Sequence, residues 1–399
     1  MKKYIWSLLW LPLALSEVIN NIVVFGDSYS DVGNSQRLTN GPLWSEDLAV
    51  GWEASLYSFA FSGAVCNNTL YPPDQDKFIP SVTDQVEMYY NQQLNLDSEE
   101  TAIIFWVGVN DIYQIFEHTQ EDQDIQAELK KVVECIGTNV RNIRKVFSAN
   151  KFIVFGVPPL ESMPYYAANP NLTESREKAA NQLNEMLTKE VEKMNKHSQH
   201  LELDLVDVHK LLDDIIESPD VFGLENAHDP FWEVCQGKCT DNPDLYVWWD
   251  KTHLTGGVHR LIANSILMAG SLAPETYLSD DADVLQLIPK YQSPIYKPQK
   301  RKGQIERVIA DLKEEKEKED NQQPNTKEQE ETMVSSPLKP SPVKSYLYFG
   351  VTATLIVCIA FILFIKTKRR GNHLAALSGL IHKPDRARFL PLHNMDSNT

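Results

Sequence analysis

Positive charge is scarce in this chain of 399 residues: 38 Lys and Arg stand against 55 Asp and Glu, a net charge of −17. The first sixteen residues carry +2 and residues 366–399 carry +5, so residues 17–365 hold −24. So acidic a surface repels phosphate, which argues against nucleic acid as a partner. Cysteine is sparse too, with five in all. The only short-spaced pair is Cys235 and Cys239 in "EVCQGKCTD". A structural zinc site requires a second such pair, so no metal is expected and a small disulfide loop is the better reading. No internal repeat is visible, which removes repeat architectures. Nowhere does G-x-S-x-G occur, which excludes the nucleophile elbow of the α/β-hydrolases.

Long uncharged runs are confined to the two ends. "MKKYIWSLLWLPLALS" places two lysines before a short apolar run and small residues, the pattern of a secretory signal peptide over 1–16, cut after Ser16. "YLYFGVTATLIVCIAFILFI", residues 346–365, has no charge over twenty residues, enough for about 30 Å of hydrocarbon. "KTKRR" follows, so the expectation is a single-pass type I membrane protein of the secretory pathway or cell surface. Its N-terminal bulk would be lumenal or extracellular, and its basic tail, 366–399, cytoplasmic and able to lie against membrane lipid. Cys358 falls in the span, leaving Cys66, Cys135, Cys235 and Cys239 in an oxidising compartment. Whether Cys66 pairs with Cys135 is left open. Sequons at Asn67 ("NNT") and Asn171 ("NLT") suit a glycosylated ectodomain.

Between the ends, strand-like and helical patterns alternate. "NIVVFG" (21–26), "YSFAFSG" (57–63), "AIIFWVG" (102–108), "KFIVFGV" (151–157) and "LELDLVDV" (201–208) are mostly continuous apolar runs. Strands covered on both faces read this way. Amphipathic stretches lie at about 122–147, 174–197 and 256–270. The alternation predicts an α/β fold over 17–288 with a mostly parallel five-stranded sheet and helices on both sides. Residues 289–345 carry seven prolines and a dense charge run and read as an extended stalk. Ile305, Val308, Ile309 and Leu312 have the spacing of one short helix within it.

The first strand candidate stops on Gly-Asp-Ser in "VVFGDSYSDVGN". In an open α/β sheet, ligands bind beyond the carboxyl ends of the strands, which is where Ser28 falls. A serine hydroxyl needs a base, and "WWDKTHLTGG" supplies His253 with Asp250 three residues before it to orient the imidazole. Attack on an ester creates an oxyanion that needs N–H donors. Gly63 in "FAFSGA", Asn110 in "WVGVND" and the backbone N–H of Ser28 are the candidates. Asp27 is assigned to the turn, and Asp31 and Asn34 to shaping the same loop. His118, His197, His200, His209, His228 and His259 read as surface or packing residues. Trp106 reads as core, while Trp44 and Trp249 stay open between packing and contact with a sugar or acyl group.

Ser28, Gly63, Asn110 and His253, in that order and context, resemble the SGNH (GDSL) hydrolases over about residues 20–272. Within that group "NGPLW", "FAFSGAVCNN", "PSVTDQV", "VPPLESMPYY" and "YVWWDKTHLT" are similar to carbohydrate esterase family 16 acetylesterases. The resemblance implies a three-layer α/β/α sandwich and a cofactor-free serine esterase that removes acyl groups, often acetyl, from sugar hydroxyls through an acyl-enzyme. Leu254 departs from the proline usual after the histidine, which implies altered loop geometry rather than lost activity. A lipid acylhydrolase or lysophospholipase of the same fold, and a non-catalytic cell-surface binding domain, are the alternatives. Oligomeric state is not legible.

Overall fold

The computed structural model describes residues 18–72, 77–119, 124–279, 282–322 and 381–382. In chain order the principal elements begin with β1 (Asn21–Gly26), α1 (Trp44–Trp52), β2 (Ser55–Ser58), α2 (Val82–Gln92), β3 (Thr101–Trp106), α3 (Val109–His118) and α4 (Gln126–Phe147). β4 (Lys151–Phe155), α5 (Pro164–Ala167), α6 (Pro170–His197), β5 (Glu202–Val206) and α7 (Val208–Glu217) follow. β6 (Asn226–Pro230), α8 (Phe231–Cys235), β7 (Tyr246–Trp248), α9 (Gly256–Met268), α10 (Val284–Leu287), α11 (Gln304–Gln322) and β8 (Ile381–His382) complete the series.

The five expected strands form one sheet in the order β2-β1-β3-β4-β5, all parallel. β8 adds two antiparallel residues beyond β5, and β6 and β7 pair separately. Central strands need apolar side chains on both faces, and Ile22–Phe25, Ala102–Trp106 and Phe152–Phe155 are all buried. Right-handed crossovers place α1, which returns to β2, on one face. α2, α4 and α6, which lead outward to β3, β4 and β5, lie on the other. α9 packs against α1. The order of connection reverses at β1, toward β2 on one side and β3 on the other, so the carboxyl ends of β1 and β3 are the switch point of the sheet.

Two expectations are revised. The second strand is shorter than 57–63, because only Ser55–Ser58 pairs regularly. The N–H groups of Phe59 and Phe61 still reach the carbonyls of Val24 and Gly26, at 2.8 and 3.2 Å, and so carry Gly63 to the end of β1. The proline-containing segment after Pro289 does not leave the domain at once. The Leu56 N–H donates to the Tyr291 carbonyl (3.0 Å) and the Ser58 N–H to Ser293 Oγ (2.8 Å). Tyr296 stacks on Phe59 with ring centroids 4.1 Å apart. Arg301 and Gln304 donate backbone N–H groups to Asp84 and Glu87 on α2. β2 is a sheet edge with free backbone donors, and this strap covers it. Prolines suit an edge, where few ladder bonds are needed.

The predicted amphipathic helix forms as α11. The chain divides into two compact units, one of residues to Ile309 with Ala376–Thr399, the other Ala310–Ala375.

The expected fold class is corrected in one respect. No helix among the described residues is long and apolar enough to cross a membrane. The long ones, α4, α6 and α11, carry charges throughout, for example "DLKEEKEKED" in α11. The apolar run 346–365 and the expected signal peptide lie outside the described residues. The architecture described is thus the α/β/α sandwich, and no described helix supports a membrane-lipid contact.

If the strap is part of the domain, Tyr296→Ala should lower stability by about 3 kcal/mol, the scale of a large aromatic removed from a packed site. Urea unfolding of the full chain and the variant measures this.

Candidate active site

Gly26 ends β1 where β3 passes closest. A Cβ at this position would lie 2.3 Å from the Trp106 carbonyl oxygen, so only glycine lets the two strands finish side by side. Gln85 of α2 then holds the Gly26 peptide on both sides. Its Oε1 accepts the Gly26 N–H at 2.9 Å and its Nε2 donates to the Gly26 carbonyl at 2.8 Å. Ser28 follows on a turn in which the Ser30 N–H donates to the Asp27 carbonyl.

Ser28 Oγ lies 3.0 Å from His253 Nε2, and His253 Nδ1 lies 2.7 Å from Asp250 Oδ2 and 2.9 Å from Oδ1. Asp250 Oδ1 also accepts the N–H groups of Thr252 and His253, each at 2.8 Å. Burial pushes the Asp250 carboxyl up, but the hydrogen bond and charge of His253 and these N–H groups outweigh it and hold it below its ordinary value. The Trp249 N–H donates to the His253 carbonyl at 2.7 Å, closing the loop. Leu254 is wholly buried and bridges to Trp248, so packing secures the loop where proline would have stiffened it.

Three donors follow the ends of the strands nearest the serine. The N–H groups of Ser28 and Gly63 have no hydrogen-bond partner among the described residues. Gly63 has φ +86°, a conformation that favours glycine, and it is exposed. The Asn110 amide donates to the Ala64 carbonyl at 3.1 Å and faces Asp27 Oδ2 at 3.5 Å, a distance too long to bind it firmly. Gly108, at φ +138°, turns the chain from β3 into the helix that presents Asn110. Asp111 accepts the Cys66 N–H and the Tyr71 hydroxyl, fixing the Gly63 loop to α3.

The acidic residues beside the serine work through the backbone. Asp27 Oδ1 accepts the Tyr29 N–H at 3.1 Å, and Asp31 accepts those of Gly33, Ser35, Gln36 and Ser62. Asn34 donates to the carbonyls of Ser58 and Ala60 and accepts the Tyr296 N–H. Burial raises Asp27 to about 8, with the charges of Asp111 and Asp31 adding to it against the Tyr29 N–H. Burial likewise raises Asp111 to about 6.

Two positioning residues lie within stretches quoted above, "PSVTDQV" and "VVFGDSYSDVGN", whose patterns assign them no role. One is Gln85; the other is Tyr29, whose hydroxyl donates to the Thr252 carbonyl at 2.6 Å and whose ring stacks on Trp106. Trp44 resolves as core: it is fully buried, and its indole N–H donates to the Tyr29 carbonyl at 3.0 Å. Trp106 is core as expected. Trp249 is half-buried against Phe231. His259 is buried, and burial lowers it to about 3 with help from the charges of His253 and Arg37, so it packs rather than acts as a base. Disulfides join Cys66 to Cys135 and Cys235 to Cys239. Asn171 is exposed at the start of α6, whereas Asn67 is half-buried and caps a short turn through Thr69.

The chain is similar to several known proteins. The model of the family described as GDSL-like Lipase/Acylhydrolase matches residues 22–266. Thermolabile hemolysin of Vibrio parahaemolyticus is 24% identical over 284 residues, 62% of this chain and 63% of its own length. The chain thus spans under two thirds of that relative. An acetylesterase of Thermothelomyces thermophilus is 23% identical over 276 residues, 61% of this chain and 86% of its own. A catalytic mutant of an acetylxylan esterase from Geobacillus stearothermophilus is a solved structure that aligns at 12% identity, covering 66% of this chain and 99% of its own, with a TM-score of 0.37.

Asp27 generates a pH prediction. An acid raised from 3.8 to about 8 on folding holds its proton only in the folded state between those values. Its contribution is therefore favourable at low pH and is lost as pH rises through that window. Asp27→Asn should make the fall in urea midpoint between pH 5 and 8 shallower than in the parent chain. An identical fall in both would show that Asp27 ionises normally.

Proposed function

We propose that this chain, a member of the GDSL-like lipase/acylhydrolase family, is a serine ester hydrolase in which Ser28, His253 and Asp250 carry the chemistry on short-chain acyl esters of carbohydrates. The continuous relay from Ser28 Oγ through His253 to Asp250, at 3.0 and 2.7 Å, is the observation that carries the assignment. Ser28 Oγ attacks the acyl carbon while His253 Nε2 takes its proton. Asp250, held ionised, stabilises the imidazolium and keeps Nδ1 protonated. The N–H groups of Ser28 and Gly63 and the Asn110 amide receive the oxyanion, Asn110 exchanging its loose contact with Asp27 for the developing charge. His253 then protonates the leaving alkoxide. Water attacks the acyl-enzyme by the same route in reverse, with His253 as base. Each step is proton transfer and acyl transfer within these residues.

The acetylesterase relative supports a short acyl group, and both disulfides support an oxidising compartment of the secretory pathway. A lipid acyl chain would require a broad apolar trough beside Ser28.

Hydrolysis of p-nitrophenyl esters from acetate to palmitate by the full chain tests the acyl group. Activity should peak at acetate and fall at least about 10³-fold in Ser28→Ala. Asn110→Ala should lower kcat by about 10²–10³, as loss of one oxyanion donor does. A peak at long chains moves the assignment to lipid esters. Activity that survives in Ser28→Ala overturns the nucleophile, and a folded chain without turnover is a binding domain.

A further inference from the structure

The catalytic histidine loop is bonded to a second feature that the hydrolytic chemistry leaves unused. Trp249 sits directly before Asp250. While its N–H donates to His253, its carbonyl accepts the Trp232 N–H at 2.8 Å. The Trp232 and Trp249 rings lie 5.5 Å apart, and Phe231 stacks behind Trp249 at 5.7 Å. Trp232 is 58% exposed, so a broad part of its indole surface on this short helix is open to solvent.

Beside Trp232 opens a cleft of about 310 Å³ lined by Trp232, Glu233, Gln236 and Gly237. Glu233 lines the cleft, and its Oε2, out of solvent contact, has no hydrogen-bond partner among the described residues, an arrangement that costs free energy. The cleft is held open by its own covalent frame. α8 is followed by left-handed residues at Gln236 (φ +46°) and Gly237 (φ +73°), and the Cys235–Cys239 disulfide ties off the turn.

We infer that this cleft is a carbohydrate subsite that binds a neutral pyranose ring of the alcohol part of the ester. An indole face accepts the C–H face of a sugar ring. Glu233 and Gln236 supply acceptors and a donor for its hydroxyls, and Glu233 in particular takes a hydroxyl proton donor. A lipid chain offers no donor to Glu233, and a polyanion is repelled by it. The disulfide and the backbone hydrogen bond from Trp232 to Trp249 preorganise the site, so binding orders little. The inference rests on the carbohydrate-ester reading for its connection to catalysis, but binding can be measured without turnover.

Calorimetric titration of full-length Ser28→Ala with unesterified xylotriose and cellotriose is the direct test. One of them should bind, with Kd rising about tenfold on adding Trp232→Ala and severalfold on adding Glu233→Gln. In the enzyme with Ser28 intact, Trp232→Ala should lower the ratio of kcat/KM for acetylated trisaccharide to that for p-nitrophenyl acetate by a similar factor. Absence of binding, or binding unaffected by both substitutions, overturns the subsite. Trp232-dependent binding in a chain that deacetylates no sugar ester upholds the subsite and refutes the proposed substrate. Deacetylation with that ratio unchanged in Trp232→Ala upholds the substrate and refutes the subsite.

Discussion

The 3.0 Å contact between Ser28 and His253 joins residues 225 positions apart, and much of the domain serves to keep its two ends together. Side chains close in sequence can meet through local turns; these cannot. The first strand must finish beside the loop that precedes the last core helix. Tyr29 spans that distance directly, its ring on Trp106 and its hydroxyl on the Thr252 carbonyl. Trp44 holds the Tyr29 carbonyl from below, and the Trp106–Phe155 stack supports both from the sheet. Aromatic side chains suit this work because they place a polar atom at a fixed distance with few rotatable bonds.

A second consequence is the concentration of buried carboxyls at the rim of the sheet. Asp27, Asp31 and Asp111 are all fully buried within the loops that form the site. Removing a carboxylate from water is costly, and the cost is offset where several N–H groups converge on it, as they do on Asp31. Asp31 thereby ties the serine loop to Ser62, next to Gly63, and Asp111 ties the same stretch to the helix bearing Asn110. Ser28, Gly63 and Asn110 follow three different strand ends, and these carboxyls tie their loops together. Asp27 has fewer donors and moves furthest toward the neutral form.

The domain's margins follow the same logic of covering exposed backbone. The strap from Tyr291 onward gives the edge strand acceptors and reaches the serine loop through Asn34 and Tyr296. The Cys66–Cys135 disulfide fixes the Gly63 loop to α4 on the opposite face. A site made almost wholly of loops is thus pinned on each side by a bond from a regular element or from the strap.

What the sequence by itself determined is local. Continuous apolar runs identified β1, β3 and β4, because burial on both faces leaves no polar alternation, while β2 and β5 were legible from their place between helical stretches. Ser28, Gly63, Asn110, Asp250 and His253 were legible because each sits at the end of a strand or just before a helix, where chemistry and turn geometry demand particular residue types. Cys235 and Cys239 were legible from spacing alone. Tertiary structure alone decided the rest. Gln85 and Tyr29 act through residues 59 and 223 positions away, and no short pattern records such contacts. Composition read the strap as stalk, because prolines and charges look alike on a free linker and along a sheet edge. Trp44 and Trp249 are the same residue type next to similar motifs, yet one is core and the other half-exposed. Side-chain identity sets what a residue can do, and only the packing of distant segments decides which of those possibilities the solvent leaves open.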